Sequence, residues 1–473
     1  MTERRRDGLL SRIALAFTAW AERWIPDAFV FALLATIIVF VLGLLVARAT
    51  PVVMLESWGK GFWDLAPFTM QMALVIITGY VLASSRPIFR AIGWLASLPR
   101  TARGATTMVA LFAMSSSWIN WGFGLIFAAI LARETARRRP EADYRALAAS
   151  SFLGLGSVWA QGLSGSAALQ MATPGMLQPA IRDIVARGDA VPSGIIPLTS
   201  TIFLWQSFVC VGVEIVVVAI VVWLYTPGPE RARTATSLGI VLEAPKADAL
   251  DDARPRTPGE WLEHSPLLTL LIAALGFAYL AMYVARAEAK VAAINLNTIN
   301  FAFLMLGFVL HWTPARLMRA VRDATPATWG VLLQYPFYSG IAGMMTYTHL
   351  NAQIAGLFVR VSTAATFPPL IALYSTVLGV FVPSGGSKWV IEAPYVMAAA
   401  HDLRVHLGWM VCVYDLGEAL ANLVQPFWML PTLAILGLKA KDVMGYTFVV
   451  FLVLLPLVLA LVTVLGRTLP YPL

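Results

Sequence analysis

The stretch Val382-Pro-Ser-Gly-Gly-Ser-Lys-Trp-Val-Ile-Glu-Ala-Pro394 sets a lysine and a glutamate inside apolar chain. Lys388 and Glu392 are four apart and would share a helical face. Lys388 then has two uses: to meet a substrate carboxylate, or to pair with Glu392. A buried charge left unpaired is costly, so the pair with Glu392 is the expectation. The Pro-Ser-Gly-Gly break frees backbone groups, which at membrane depth are tolerated only against protein or a watered cavity. A helix starting after the glycines turns N–H donors and a positive dipole end toward an anion.

A second polar stretch is Tyr414-Asp415-Leu-Gly-Glu418-Ala-Leu-Ala-Asn422-Leu-Val-Gln425-Pro-Phe-Trp428. Glu418, Asn422 and Gln425 fall at i, i+4 and i+7 and share a face. Ionisable groups within a span are expensive and usually look into the bundle. Asp415 and Glu418 can therefore carry a proton, ligate a cation, or merely hold helices together through an ion pair or hydrogen bond. A third stretch, Ser115-Ser116-Ser117-Trp118-Ile-Asn120-Trp121-Gly122, offers hydroxyls and an amide. Together with Ser384 and Ser387 it could line a small polar pocket, walled by Trp118, Trp121 and Trp389. The same residue types also cap helix starts, and both uses are compatible at a tip.

These groups need a membrane scaffold. Of 473 residues 59% are hydrophobic and only 13% charged, against roughly 25% charged in a soluble domain. This is the composition of an integral membrane protein. The basic start is followed by an apolar run too long for a signal peptide's core, so no cleavable signal is expected. The net charge of +8 reads as basic loops flanking apolar spans, not as nucleic-acid binding. Cys210 and Cys412 lie in apolar runs and read as small buried hydrophobes. The five histidines show no ligand spacing, which argues against a metalloenzyme.

Taken in order, spans are expected near 27–47, 66–84, 146–171, 196–225, 266–284, 296–311, 330–346, 407–436 and 443–465. Arg4, Arg5 and Arg6 put the N-terminus in the cytoplasm. Residues 86–103 read as a basic interfacial stretch, and 349–362 as its counterpart. The segment 105–132 has basic flanks on both sides and a polar centre. Its arms are about ten residues each, whereas a span needs about twenty, so a re-entrant hairpin is expected. Span three is interrupted by Gly154, Gly156, Gly162 and Gly165 and carries Ser157 and Gln161. Residues 226–263 read as a cytoplasmic linker.

The order span, span, broken pair, broken span, span recurs from the other side of the membrane. The fold expected is an all-α polytopic membrane protein of two inverted repeats, about nine spans plus two re-entrant hairpins. The repeats are 1–225 and 296–473, joined by the linker and span five over 226–295. Re-entrant breaks at matching places in inverted halves point to a secondary transporter with a midplane site.

Trp118-Ile-Asn-Trp-Gly-Phe-Gly-Leu125, Phe381 to Pro394, and Gly417 to Trp428 together resemble the bacterial short-chain fatty acid transporter (AtoE) family. The resemblance runs over nearly the whole chain. It implies uptake of small carboxylates such as butyrate or acetoacetate across the inner membrane. The family is similar in outline to ion transporters with paired hairpins, which resemble elevator carriers; that analogy suggests a homodimer.

The expected substrate-binding residues are Ser115, Ser116, Ser117, Trp118, Asn120, Trp121, Ser384, Gly385, Gly386, Ser387, Lys388 and Trp389. The expected coupling-ion residues are Glu418, Asp415, Asn422, Gln161, Ser157 and Gln425. No cofactor and no nucleic acid are expected; the partners are a small carboxylate and the lipid bilayer. Drawing a monoanion into a negative-inside cell costs about 2.3 kcal/mol per 100 mV. An uptake system should therefore be a symporter, with H⁺ or Na⁺ as the coupling ion. A dicarboxylate or amino-acid symporter with Lys388 free for a second anionic group, and a passive anion channel, are the rivals. A membrane-embedded enzyme lacks a nucleophile motif or metal cluster to support it.

Overall fold

A computed structural model of the chain describes residues 9–24, 28–64, 66–173, 177, 179–242, 257–287, 293, 296–350, 353, 360–383 and 385–473. Among these the secondary structure is helical throughout.

The first half runs α1 (Leu9–Trp24), α2 (Ala28–Leu45), α3 (Pro51–Asp64), α4 (Ala66–Ser84), α5 (Arg86–Ser97), α6 (Ala102–Ile119), α7 (Trp121–Arg138), α8 (Tyr144–Phe152), α9 (Ser166–Ala172), α10 (Pro179–Ala186) and α11 (Trp205–Tyr225). The second runs α12 (Pro258–His264), α13 (Pro266–Arg286), α14 (Leu296–His311), α15 (Pro314–Ala324), α16 (Trp329–Tyr347), α17 (Phe367–Phe381), α18 (Gly385–Asp402), α19 (Leu407–Asn422), α20 (Leu430–Leu436) and α21 (Ala440–Gly466). Helices therefore stand at each place where a span was expected. Among the described residues four helical stretches are long and apolar enough to cross a bilayer, and a bent pair makes a fifth. Shorter apolar helices, such as Asn297–His311 and Phe367–Phe381, accompany them.

Local chemistry sets the boundaries. Thr50-Pro51 and Thr313-Pro314 start α3 and α15, where proline's missing N–H costs nothing. Each start follows a left-handed residue, Arg48 (φ 53°) and Trp312 (φ 69°). Thr101 caps α6 by accepting from the Gly104 N–H at 3.0 Å. α5 buries Ile92, Gly93 and Ala96 and leaves Arg86 and Arg90 exposed, so the basic stretch forms an amphipathic helix. Helices also stand outside the expected spans, among them α1, α3, α10, α12 and α15. Residues 9–24, which precede the first expected span, form α1, which packs on α21 and α11. Residues 49–65, between the first two expected spans, hold α3, which packs along α16.

α6 and α7 form an antiparallel hairpin turned at Asn120. Span three breaks into α8, a 3-10 turn Val158–Gln161, and α9. Span eight breaks between Asn422 and Phe427, and its two parts meet at 71°. α17 and α18 are the second broken pair, parted at Val382 and Pro383. α17 lies against α19 so closely that a Cβ on Gly417 would stand 2.3 Å from the Ala372 carbonyl oxygen. Part of the expected linker, 243–256, and most of 349–362, namely 351–352 and 354–359, lie outside the described residues. The start of the linker is anchored: the Arg233 N–H donates to Asp143 at 2.9 Å, and the Tyr144 N–H donates to the Arg233 carbonyl at 2.9 Å.

Candidate functional site

The breaks in spans three and eight cross. The Asn422 side chain donates to the Leu155 carbonyl at 3.0 Å and accepts from Gln425 Nε2 at 3.0 Å. Gln425 Oε1 in turn takes the Phe427 N–H at 2.6 Å. Ser157 Oγ donates back to the Leu153 carbonyl at 2.7 Å. The Asn422, Gln425 and Ser157 side chains are at most 2% exposed. At breaks of this kind freed backbone groups need such partners, so here Asn422, Gln425 and Ser157 stabilise the crossing.

Beside that crossing α18 begins. From the position of a Cβ on Gly385, the Trp159 ring is 3.1 Å away, Asp415 Oδ1 3.4 Å and Glu418 Cγ 3.5 Å. The Gly386 carbonyl accepts from Gln170 Nε2 at 3.0 Å. Asp415 Oδ2 takes the Ala167 N–H at 2.9 Å. Thus the start of α18, the middle of α19 and the far part of broken span three meet at one place.

The Lys388 ammonium corrects the pairing expected from spacing. It forms its ion pair with Glu418, not with Glu392. It also donates to the Ser375 carbonyl at 3.0 Å and hydroxyl at 3.2 Å. The Glu392 carboxylate takes the Tyr374 hydroxyl. The reason is geometric: α17 and α19 pack close, and Gly379 leaves room for the Glu418 carboxylate, since a Cβ there would lie 2.6 Å from Oε2. Lys388 is 2% exposed, Asp415 1%, Glu418 and Glu392 0%. Its ammonium lies 5.1 Å from the centre of the Tyr414 ring, which packs on Trp389 at 4.9 Å between centroids.

Several polar atoms here have no hydrogen-bond partner among the described residues. The donors are Trp389 Nε1, Trp159 Nε1 and the Tyr414 hydroxyl; the acceptors are Asp415 Oδ1 and Glu418 Oε1. Such groups are rare in a folded interior. Donors beside an ammonium suit an anion, and spare carboxylate oxygens suit a cation.

The α6–α7 tip is put to other uses. Asn120 Oδ1 caps α7 by accepting from the Phe123 N–H at 3.0 Å. Ser116 Oγ donates to the Phe112 carbonyl at 2.6 Å, and Ser115 is exposed. Ser117 packs where a Cβ on Gly154 would meet its Oγ at 2.3 Å. The Trp118 carbonyl accepts from the Leu163 N–H at 2.8 Å, and the Trp121 N–H donates to Ser164 Oγ at 3.0 Å. The Trp121 ring meets Trp428 at 5.1 Å. Both tips are thus joined to the same segment of span three, the first through Leu163 and Ser164, the second through Gln170. Ser384 and the Ser387 side chain lie outside the described residues. Among the described residues no group of His, Cys, Asp and Glu is arranged to hold a metal ion.

Tyr374, Ser375, Trp159, Gln170 and Glu214 were not singled out from sequence. Glu214 lies within the apolar span of α11 and accepts from Gln161 Nε2 at 3.2 Å. A lone Glu in such a run was a usable signal for it; the other four look like ordinary span residues.

Fold and site together define a helical membrane protein with a closed, charged interior site at the crossing of two broken spans. The family model described as short chain fatty acid transporter matches residues 9–465, and the chain belongs to that family. It is 40% identical over 438 residues to an Escherichia coli (strain K12) protein named "Putative short-chain fatty acid transporter", covering 93% of this chain and 96% of that protein. A Haemophilus influenzae protein of the same name is 34% identical over 438 residues, with the same coverage. Among solved structures, the YdaH transporter of Alcanivorax borkumensis aligns over 94% of this chain and 98% of its own, at 15% identity and a TM-score of 0.44. Neisseria gonorrhoeae MtrF aligns over 97% and 98%, at 14% identity and a TM-score of 0.45.

Proposed function

We propose that the protein takes up short-chain fatty acids such as butyrate or acetoacetate across the bacterial inner membrane, coupled to H⁺ or Na⁺. The observation that carries this reading is the charge balance at Gly385. Two deeply buried carboxylates, Asp415 and Glu418, stand beside one ammonium, Lys388, which is paired with Glu418. An anionic substrate entering such a site adds to an existing excess of acid. Burying unpaired carboxylates is prohibitive unless they are neutralised, so substrate and cation must enter together.

The exchange has a simple form. A cation on Asp415 or Glu418 loosens the hold of Glu418 on Lys388. The freed ammonium, with Trp389 Nε1 and the Tyr414 hydroxyl, then donates to the substrate carboxylate. The short alkyl chain lies against Trp159. Gly385 and Gly386 let the backbone approach, and the α6–α7 tip, Ser116 to Trp121, closes the other side. Asn422, Gln425, Ser157 and Gln161 keep the crossing in register for the ion.

Movement follows an elevator-like alternating access of two inverted repeats, with the N-terminus in the cytoplasm and a homodimer as the working unit. The matching starts of α3 and α15, and the two broken pairs, support the repeat. The test is a substrate screen in proteoliposomes with Na⁺ and pH gradients imposed separately. Concentrative butyrate uptake driven by one gradient is the expected result. Dicarboxylate exchange without butyrate exchange, or flux that never exceeds equilibrium, would reject the reading.

A further inference from the structure

Away from Lys388 another acid is buried with no ion pair among the described residues. Glu214 stands midway along α11 and is 1% exposed. Its Oε1 accepts from Gln161 Nε2, and Gln161 is itself 0% exposed. Among the described residues neither Glu214 Oε2 nor Gln161 Oε1 has a hydrogen-bond partner. Two acceptor oxygens with no donor sit on one pair of touching side chains.

The elements packed on α11 are α1, α6, α21 and the 3-10 turn Val158–Gln161. Their charged residues, Arg12, Glu22, Arg23, Arg103, Lys441 and Asp442, lie near helix ends, and none of those whose side chains are described forms an ion pair with Glu214. The titratable neighbour is Cys210, one turn earlier, with Cys412 of α19 beyond it. Among the described residues nothing neutralises Glu214, yet an isolated carboxylate at such depth is too costly to keep.

We propose that Glu214 and Gln161 form a second binding site for a monovalent cation, H⁺ or Na⁺, distinct from Asp415 and Glu418. Its role in transport rests on the cation-coupled reading above. The Gln161 amide is suited to both occupants. Without a cation its NH₂ donates to the carboxylate, as observed. Turned by half a revolution, it presents Oε1 to a carboxylic O–H or to a sodium ion. Because Gln161 belongs to the break in span three, which also packs on α19, occupancy is felt at the Asp415 site.

The test measures cation binding on purified wild type, Glu214→Gln and Gln161→Leu, each checked for folding by gel filtration and thermal unfolding. One arm counts radioactive sodium bound at saturation. The other follows the infrared carboxyl band between acidic and alkaline buffer. Wild type should hold one cation equivalent more than Glu214→Gln in one of the two arms. Gln161→Leu, which keeps the acid, should weaken that binding by roughly tenfold or more. Unchanged counts and bands in Glu214→Gln, or in Gln161→Leu where Glu214→Gln does not fold, would overturn the proposal. Neither arm needs transport, so a wild type that binds but never accumulates substrate would reject the coupled reading and leave this site standing.

Discussion

Lys388 and Glu418, thirty residues apart in the chain, form a buried ion pair. The pair links the start of α18 to the middle of α19, and every other group at the site is arranged around it. Removing one partner leaves the other as an uncompensated charge, which typically costs about 3–5 kcal/mol. Glu418→Gln and Lys388→Met should each abolish coupled uptake and lower the unfolding temperature. The double variant should regain most of the lost stability without regaining transport. A double variant no more stable than either single one would mean that the two side chains do not act as a pair.

Trp389→Phe isolates the indole N–H, because ring packing on Tyr414 largely survives. A hydrogen bond to a charged acceptor is worth about 1.5–3 kcal/mol. The apparent KM for butyrate should rise by an order of magnitude or more, with thermal stability almost unchanged. An unaltered KM would place the carboxylate elsewhere.

Gly379→Ala should damage both fold and transport. Its Cβ would meet Glu418 Oε2 at 2.6 Å and the Ala421 Cβ at 2.7 Å, and helix backbones cannot both retreat without strain. Gly212→Ala on α11 is the control: nothing lies within 4 Å of its Cβ, so expression and uptake should match wild type. Equal behaviour of the two variants in thermal unfolding would mean that α17 and α19 tolerate separation.

Asn422→Ala removes the bond to Leu155 and leaves that carbonyl and Gln425 Nε2 short of a partner. The loss should be about 1–3 kcal/mol, read as a lower unfolding temperature. Counterflow of substrate should suffer with it, since the Asn422 bond holds the two breaks in register.

Helix positions were readable from hydropathy because a span is a property of local composition. The hairpin at Asn120 and the bend after Asn422 were readable too. A polar run inside an apolar segment is tolerated at membrane depth only where the chain turns, breaks or lines a cavity. The partner of Lys388 was not legible. Spacing along one helix offers Glu392, four residues on, whereas the true partner sits on another helix and is set by the close approach of α17 and α19. Spacing has no access to such a contact. Glu214 was passed over because one acid does not disturb the mean of a strongly apolar run. α1 and α3 were passed over because their exposed Arg and Lys residues outweigh the small buried faces around Ala14 and Met54. The polar residues of the first tip were visible, but the sequence could not say that Asn120 serves as a helix cap or that Ser115 faces outward.

The bond between Asn422 and Leu155 ties the interruption of one span to that of another, 267 residues away in the chain. Neither can slide along its neighbour while the bond lasts. Whatever is held at Gly385 therefore rests against two tied breaks, one from each half of the chain. The elevator-like movement proposed above would then put its sliding seam elsewhere, between these tied breaks and the α3–α16 pair, whose backbones touch through Gly61 and Gly343.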